Sequence, residues 1–273
     1  MEGNLTAAEA TDATTKKAKP AGRQGTKTKD KRPNLVIFMM DDVGYGDIGC
    51  FGGTRAKTPN VDRMATEGMR MTDFYVHPVC GVTRAALLTG SYAMRVAEVG
   101  NRKNGHPVLH PEEITIAEVL RDAGYHTGMV GKWHLGHFTQ AYLPNQRGFD
   151  SFYGFLGGAI GYYDHLFAGG IDWQRDGVTV EEEGYSTEMI AREAMRLIEK
   201  NSGQPYFLLV SFNAPHTPIQ GPGGRKPEHN GRKTYLEMVR SMDTAIGQII
   251  ETLVKQGDLT NTVVIFASDN GGQ

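Results

Sequence analysis

Apolar positions along this chain follow two rhythms. Leu35 to Met40 is an unbroken apolar run, the pattern of a strand buried on both faces. Thr127 to Val130, Tyr206 to Phe212 and Thr262 to Ala267 repeat it. Segments of helical spacing lie between. Pro59 to Glu67 opens on Thr58-Pro59, a cap followed by a proline in the first turn, and stops at Gly68. Thr115 to Ala123 puts Ile116, Val119 and Leu120 on one face and stops at Gly124. Thr187 to Lys200 repeats apolar residues at Ile190, Ala194, Leu197 and Ile198, and Tyr235 to Lys255 extends the pattern. Strands alternating with helices predict an α/β fold, a mainly parallel sheet flanked by helices. Leu143 to Glu183, rich in Gly, aromatics and Asp, reads as loops over one face, and Gly221 to Gly231 as a lid or substrate loop.

Composition narrows the class. With 273 residues, 39% hydrophobic and 22% charged, the chain can bury a core, and full-length disorder is excluded. A net charge of −2 gives no overall field for nucleic acid, and the apolar runs are too short to span a bilayer. Two cysteines, Cys50 and Cys80, cannot build a disulfide framework. The charge is uneven, with eight Lys/Arg against four Asp/Glu in residues 1–33 and almost nothing large and apolar there. That composition predicts a disordered basic tail, with the ordered domain running over 34–273. The tail has no apolar stretch of the kind that directs secretion, so export by the general route is not expected.

The chemistry sits where the strands end. The first ends in Asp41-Asp42, the second runs into Gly131-Lys132-Trp133-His134, the third into Asn213-Ala214-Pro215-His216, and the fourth into Asp269-Asn270. Open α/β sheets bind ligands beyond the carboxyl ends of their strands. Asp41, Asp42, Asp269 and Asn270 offer hard oxygen donors, and a cation would relieve the repulsion of adjacent carboxylates. Such donors select Ca²⁺, with Mg²⁺ as the alternative, over Zn²⁺. Gly44-Tyr45-Gly46-Asp47-Ile48-Gly49 mimics a dinucleotide fingerprint, but two carboxylates precede it and no helix pattern follows it. Its glycines read instead as tight turns around the metal ligands. Cys80 precedes a short helix, expected to be capped by Thr83 and ended by Gly90. At that N-terminus, near Arg84, a positive field favours an anion, while a buried or merely reactive thiol is the alternative, favoured when the cysteine is taken by itself.

Cys80-Gly81-Val82-Thr83-Arg84, followed by Leu87-Leu88-Thr89-Gly90, resembles the signature of the type I sulfatases of the alkaline phosphatase superfamily, Cys-x-Pro/Ala-x-Arg then Leu-x-Thr-Gly. Asn34 to Gly53, Thr58 to Asp62, Gly124 to Gly136, Pro144 to Asp150, Ala214 to Pro218 and Ser268 to Gly272 also resemble segments of that family in order and spacing. The resemblance covers 34–273 and implies a sulfatase-like catalytic domain, incomplete at the C-terminus, with apolar surface left at the end of the sheet. It implies that a formylglycine-generating enzyme oxidises Cys80 to an aldehyde. One hydroxyl of its hydrate attacks a sulfate ester, and the other then expels sulfate. It places Cys80 with the four oxygen ligands at the cation. Arg84 would hold the diol and the ligand network, Lys132 would contact sulfate, His134 would act as base, and His216 would protonate the leaving oxygen. The substrate class implied is a sulfated small molecule or carbohydrate. None of the other histidines is assigned; His137 and His165 lie where they could touch substrate, though surface or packing roles are favoured. Val82 departs from the signature, which has Pro or Ala, and an unconverted thiol cannot form the diol. Two alternatives stand beside this reading: a phosphodiester or phosphonate hydrolase of the same superfamily, and a non-catalytic sulfatase-like fragment.

Overall fold

In the computed structural model, residues 32–98, 108–224 and 231–272 are described. The expected tail, save Arg32 and Pro33, lies outside them. So do His106, His229 and most of the Gly221–Gly231 loop. The carbonyls of Arg32 and Pro33, just before the apolar run, accept hydrogen bonds from Asn261 and Tyr125.

The first strand, β1 (Asn34–Asp41), explains its own composition. Val36, Phe38 and Met40 enter one core, Ile37 and Met39 the other, and all are at most 3% exposed. A strand with two dry faces has no use for alternation. The remaining sheet strands are β2 (His126–Lys132), β3 (Ser151–Phe155), β4 (Gln174–Arg175), β5 (Val178–Thr179), β6 (Tyr206–Pro215) and β7 (Thr262–Ser268). Their order is β7-β1-β6-β2-β3-β4-β5. The first five in that order run parallel, and β4 and β5 add an antiparallel margin. The edge strand β7 keeps Val263 and Ile265 half exposed.

Besides a single turn at Ala93–Val96, the α-helices among the described residues are α1 (Pro59–Glu67), α2 (Cys80–Thr89), α3 (Ile116–Asp122), α4 (Ser186–Asn201) and α5 (Arg232–Lys255). The buried faces of α4 and α5 cover one side of the sheet, where Ile190, Ala194, Leu197 and Ile198 lie in the core as their spacing predicts. The opposite side is covered by α2 and α3 with Phe149, Phe152 and Trp133.

Several local expectations are corrected. The segment 143–183 is not all loop, because β3 joins the main sheet. Gly154 looked like a loop signal, yet a Cβ there would sit 2.1 Å from the Gly131 carbonyl oxygen, so the glycine lets two strands meet. Val119 is exposed, while Ile116 and Leu120 pack against the core. A capping box of Thr115 and Glu118 starts that helix. Thr58 does not cap α1 through its side chain; Asp243 of α5 accepts from the Asn60 and Val61 amides instead. Helix α2 starts after Val79, and Thr83 lies within it, its hydroxyl joined to both backbone groups of His77. Gly90 closes it in the left-handed region, as expected. The Gly44–Gly49 glycines adopt no left-handed backbone. At Gly44 and Gly49 a Cβ would collide with the Asp47 and Asp62 carboxylates, so they serve close approach rather than turning.

Candidate active site

Parallel packing brings the ends of β1, β6, β2 and β7 to one edge. The β1–β6 register slips there, pairing Met39 with Ser211 but Asp41 with Pro215, and such an irregularity re-aims the last side chains. Asp42 follows with φ 65°, a left-handed backbone that a non-glycine residue adopts only under local constraint. His134 has φ 57° just past β2.

Five charged groups interlock. Lys132 Nζ lies 2.6 Å from Asp41 Oδ2, both fully buried. Arg84 Nη2 and Nε lie 2.8 and 3.2 Å from Asp269 Oδ2, and Nη2 is 3.6 Å from Asp41 Oδ1. Arg84 Nη1 also donates to the Lys132 carbonyl and the Ser211 hydroxyl. The Asp42 amide donates to Asp269 Oδ1, and Asn270 Nδ2 donates to Asp42 Oδ1 at 2.6 Å. Burial alone would lower Arg84, but Asp269 and Asp41 outweigh it and keep the guanidinium charged. Burial, with Asp41 adding to it, raises the Asp269 carboxyl above its ordinary range against the pull of Arg84 and Lys132.

Three carboxylates face two buried cations, an excess of one negative charge. Asp41 Oδ1, Asp42 Oδ2 and Asn270 Oδ1 are buried acceptors without a hydrogen-bond partner. Orphaned oxygens of this kind are costly unless something positive meets them. Asp41, Cys80 and Asp269 bring ligand atoms within 4.8 Å of one another, as do Asp41, Asp42 and His216. The orphaned oxygens of Asp41, Asp42 and Asn270 fit a divalent cation, with Cys80 and His216 as softer donors beside them.

Cys80 is the first residue of α2, and its Sγ lies 3.1 Å from His134 Nδ1. The positive field expected there does not win. Burial raises the thiol, and Asp41 and Asp269 add to the rise that Lys132 and Arg84 oppose. His216 Nδ1 lies 2.6 Å from the Thr217 carbonyl, which can only accept, so Nδ1 carries hydrogen and Nε2 faces the site. That Nε2 is 3.6 Å from Asp42 Oδ2. Every residue the sequence nominated is thus drawn into one cluster. His165 is not: it is buried and stacked on Trp173, a packing role.

Sequence reasoning missed Ser211, whose hydroxyl links Arg84 to the Lys132 carbonyl. Its signal was a lone hydroxyl inside the apolar run YFLLVSF. It also missed Tyr235, whose hydroxyl lies 2.8 Å from the Asp42 carbonyl and 2.9 Å from Asp47 Oδ2. Nothing in the helical spacing of α5 singled that residue out.

An α/β sheet thus gathers oxygen ligands, two buried cations and a half-buried cysteine at one edge. The sulfatase family model matches residues 33–273, and the chain belongs to that family. It is 33% identical to mouse arylsulfatase J over 93% of this chain and 44% of that protein. It is 35% identical to human N-acetylgalactosamine-6-sulfatase over 88% and 50%. The crystal structure of Ps i-CgsB in complex with k-i-k-neocarrahexaose superposes with a TM-score of 0.81 at 34% identity, over 89% of this chain and 59% of that one. The chain spans about half the length of the curated relatives it matches.

Proposed function

We propose that this site hydrolyses sulfate esters, with Cys80 converted to formylglycine and a divalent cation, Ca²⁺ or Mg²⁺, held by Asp41, Asp42, Asp269, Asn270 and the converted Cys80 side chain. The observation that carries this is the position of Cys80. It opens α2 beside His134, within ligand reach of Asp41 and Asp269, and three orphaned oxygens lie in the same cluster. The converted residue would supply a hydrated aldehyde as nucleophile, and the cation would polarise the sulfate and lower the nucleophile's pKa.

The chain's own groups do the rest. Arg84, one turn after Cys80, ties α2 to Asp269, so the nucleophile and a ligand share one rigid support. Lys132, held by Asp41, places positive charge where a sulfate oxygen would gain negative charge. His134 Nδ1 faces the side chain of residue 80 and can take its proton. His216 Nε2 faces the site and, as imidazolium, can deliver a proton to the leaving oxygen, while Thr217 fixes its other nitrogen. A sulfated small molecule or carbohydrate is the substrate class this implies, and the formylglycine-generating enzyme is the partner that prepares the chain.

The test is comparative hydrolysis by protein co-expressed with a formylglycine-generating enzyme, using 4-nitrophenyl sulfate and bis-4-nitrophenyl phosphate with and without Ca²⁺. The expected result is a higher kcat/KM for the sulfate, lost on chelation. Preference for the diester would assign the site to phosphodiester chemistry. Cation binding without turnover of either ester would make it a binding module.

A further inference from the structure

The turn that carries Asp42 is gripped from outside the cluster of charges. Asp42 Oδ1 accepts from Asn270, but Oδ2 has no hydrogen-bond partner, so its direction follows from the backbone and that one bond. The backbone is left-handed, at φ 65°, and a non-glycine residue stays there only where its surroundings hold it. The hold comes largely from α5. Tyr235, in the first turn of that helix, is buried. Its hydroxyl accepts from the Gly44 amide at 3.3 Å, and its hydrogen faces the Asp42 carbonyl at 2.8 Å and Asp47 Oδ2 at 2.9 Å. Arg232, the first residue of α5, pairs with Asp47, and its guanidinium carbon lies 4.6 Å from the centre of the Tyr235 ring. A Cβ on Gly44 would lie 2.8 Å from Asp47 Oδ2, so the glycine there admits that carboxylate. From β7, the Ser268 hydroxyl donates to the Val43 carbonyl at 2.9 Å.

Resting on the cation reading of the site, we propose that Tyr235, backed by Asp47, is a positioning residue for the divalent cation: it locks the Asp42 turn so that the unpartnered Oδ2 is presented to the metal. Tyr235 meets the Asp42 carbonyl and the Gly44 amide, so it acts through the backbone of a ligand and not as a ligand. The Asp47–Arg232 pair fixes the hydroxyl in turn, because it holds Asp47 Oδ2 beside it and caps the ring with a guanidinium. Groups that orient a metal ligand from behind set its affinity nearly as firmly as the ligand itself. Without the hydroxyl, Asp42 is free to leave the left-handed region, and Oδ2 loses its preset direction before any cation arrives.

The experiment measures the Kd of Ca²⁺, and separately of Mg²⁺, by calorimetry on the full chain as wild type, Tyr235→Phe, Asp47→Asn and Tyr206→Phe, with the urea midpoint of each. Tyr206→Phe is the control for a purely structural role. It removes another buried tyrosine hydroxyl, 3.5 Å from Asp258 Oδ2, where β6 begins at the opposite end of the sheet. Tyr235→Phe should weaken Ca²⁺ binding about tenfold, Asp47→Asn should weaken it by a smaller factor, and Tyr206→Phe should leave it unchanged whatever its urea midpoint. An unchanged Ca²⁺ Kd in Tyr235→Phe overturns the proposal, as does an equal loss in Tyr206→Phe. Should Tyr235→Phe fail to fold, an unchanged Kd in Asp47→Asn overturns it. A wild-type chain that takes up neither cation overturns the cation reading itself. A Tyr235-dependent Ca²⁺ affinity in a chain that hydrolyses no ester keeps the proposal and overturns only the hydrolytic reading.

Discussion

Arg84 shows how much rests on single side chains in this cluster. Its guanidinium is buried and satisfied by Asp269, the Lys132 carbonyl and Ser211. Arg84→Ala removes the partner of Asp269 and leaves carboxylates in excess at a dry site. Breaking a buried ion pair on one side costs about 3–5 kcal/mol, so urea unfolding should show a loss of that order. A loss below about 1 kcal/mol would mean the pair is solvated and of little weight. At this scale the sequence was informative wherever a polar residue ended an apolar run: Asp41, Asp269, Lys132 and His216 were legible for that reason. Ser211 was harder to see, because a single hydroxyl inside a strand also occurs without function. For Cys80 the sequence left two readings, an anion in a positive field and a buried or merely reactive thiol; it displays the nearby Arg84 but not the facing carboxylates, and burial raises the thiol.

Elements were legible in proportion to their burial pattern. The continuous runs of β1 and β6 have two covered faces, and α4 is amphipathic because it has one. Strand β3 was missed because its signal, SFYGF, is short and carries the glycine that its neighbour Gly131 requires. Thr58 holds the cap position of α1 as expected, but the carboxylate that accepts from the first amides, Asp243, is supplied from α5, far along the chain. Tertiary context also decides the electrostatics of α4. Burial alone would raise Glu193, yet hydrogen bonds from Arg196 and Arg175 outweigh it and hold the carboxyl below its ordinary value of 4.5. A lowered native value means that the unfolded chain binds the proton more readily. The resulting stability is present above about 4.5 and is lost as pH falls through the native value. Glu193→Gln should therefore flatten the acid limb of a stability-versus-pH curve and lower stability near neutrality. An unchanged acid limb would show that the two arginines leave Glu193 unperturbed.

For the molecule as a whole, the sheet is a scaffold whose carboxyl edge holds the candidate site. Strand order β7-β1-β6-β2 puts Asp269-Asn270, Asp41-Asp42, His216 and Lys132-His134 side by side, although they are up to 229 residues apart in sequence, the separation of Asp41 and Asn270. Family membership was legible from motif order alone. What the motifs left open is whether the chain's own departure at Val82 permits Cys80 to be converted. Val82 is buried in the core on the α2 side of the sheet, so in the folded chain it serves packing. The central claim, that residue 80 becomes the nucleophile, is tested most directly by the mass of the tryptic peptide Met71 to Arg84 from protein co-expressed with a formylglycine-generating enzyme. The account predicts an aldehyde at position 80, with the thiol sulfur replaced by oxygen. A plain cysteine that takes up an alkylating reagent would contradict it.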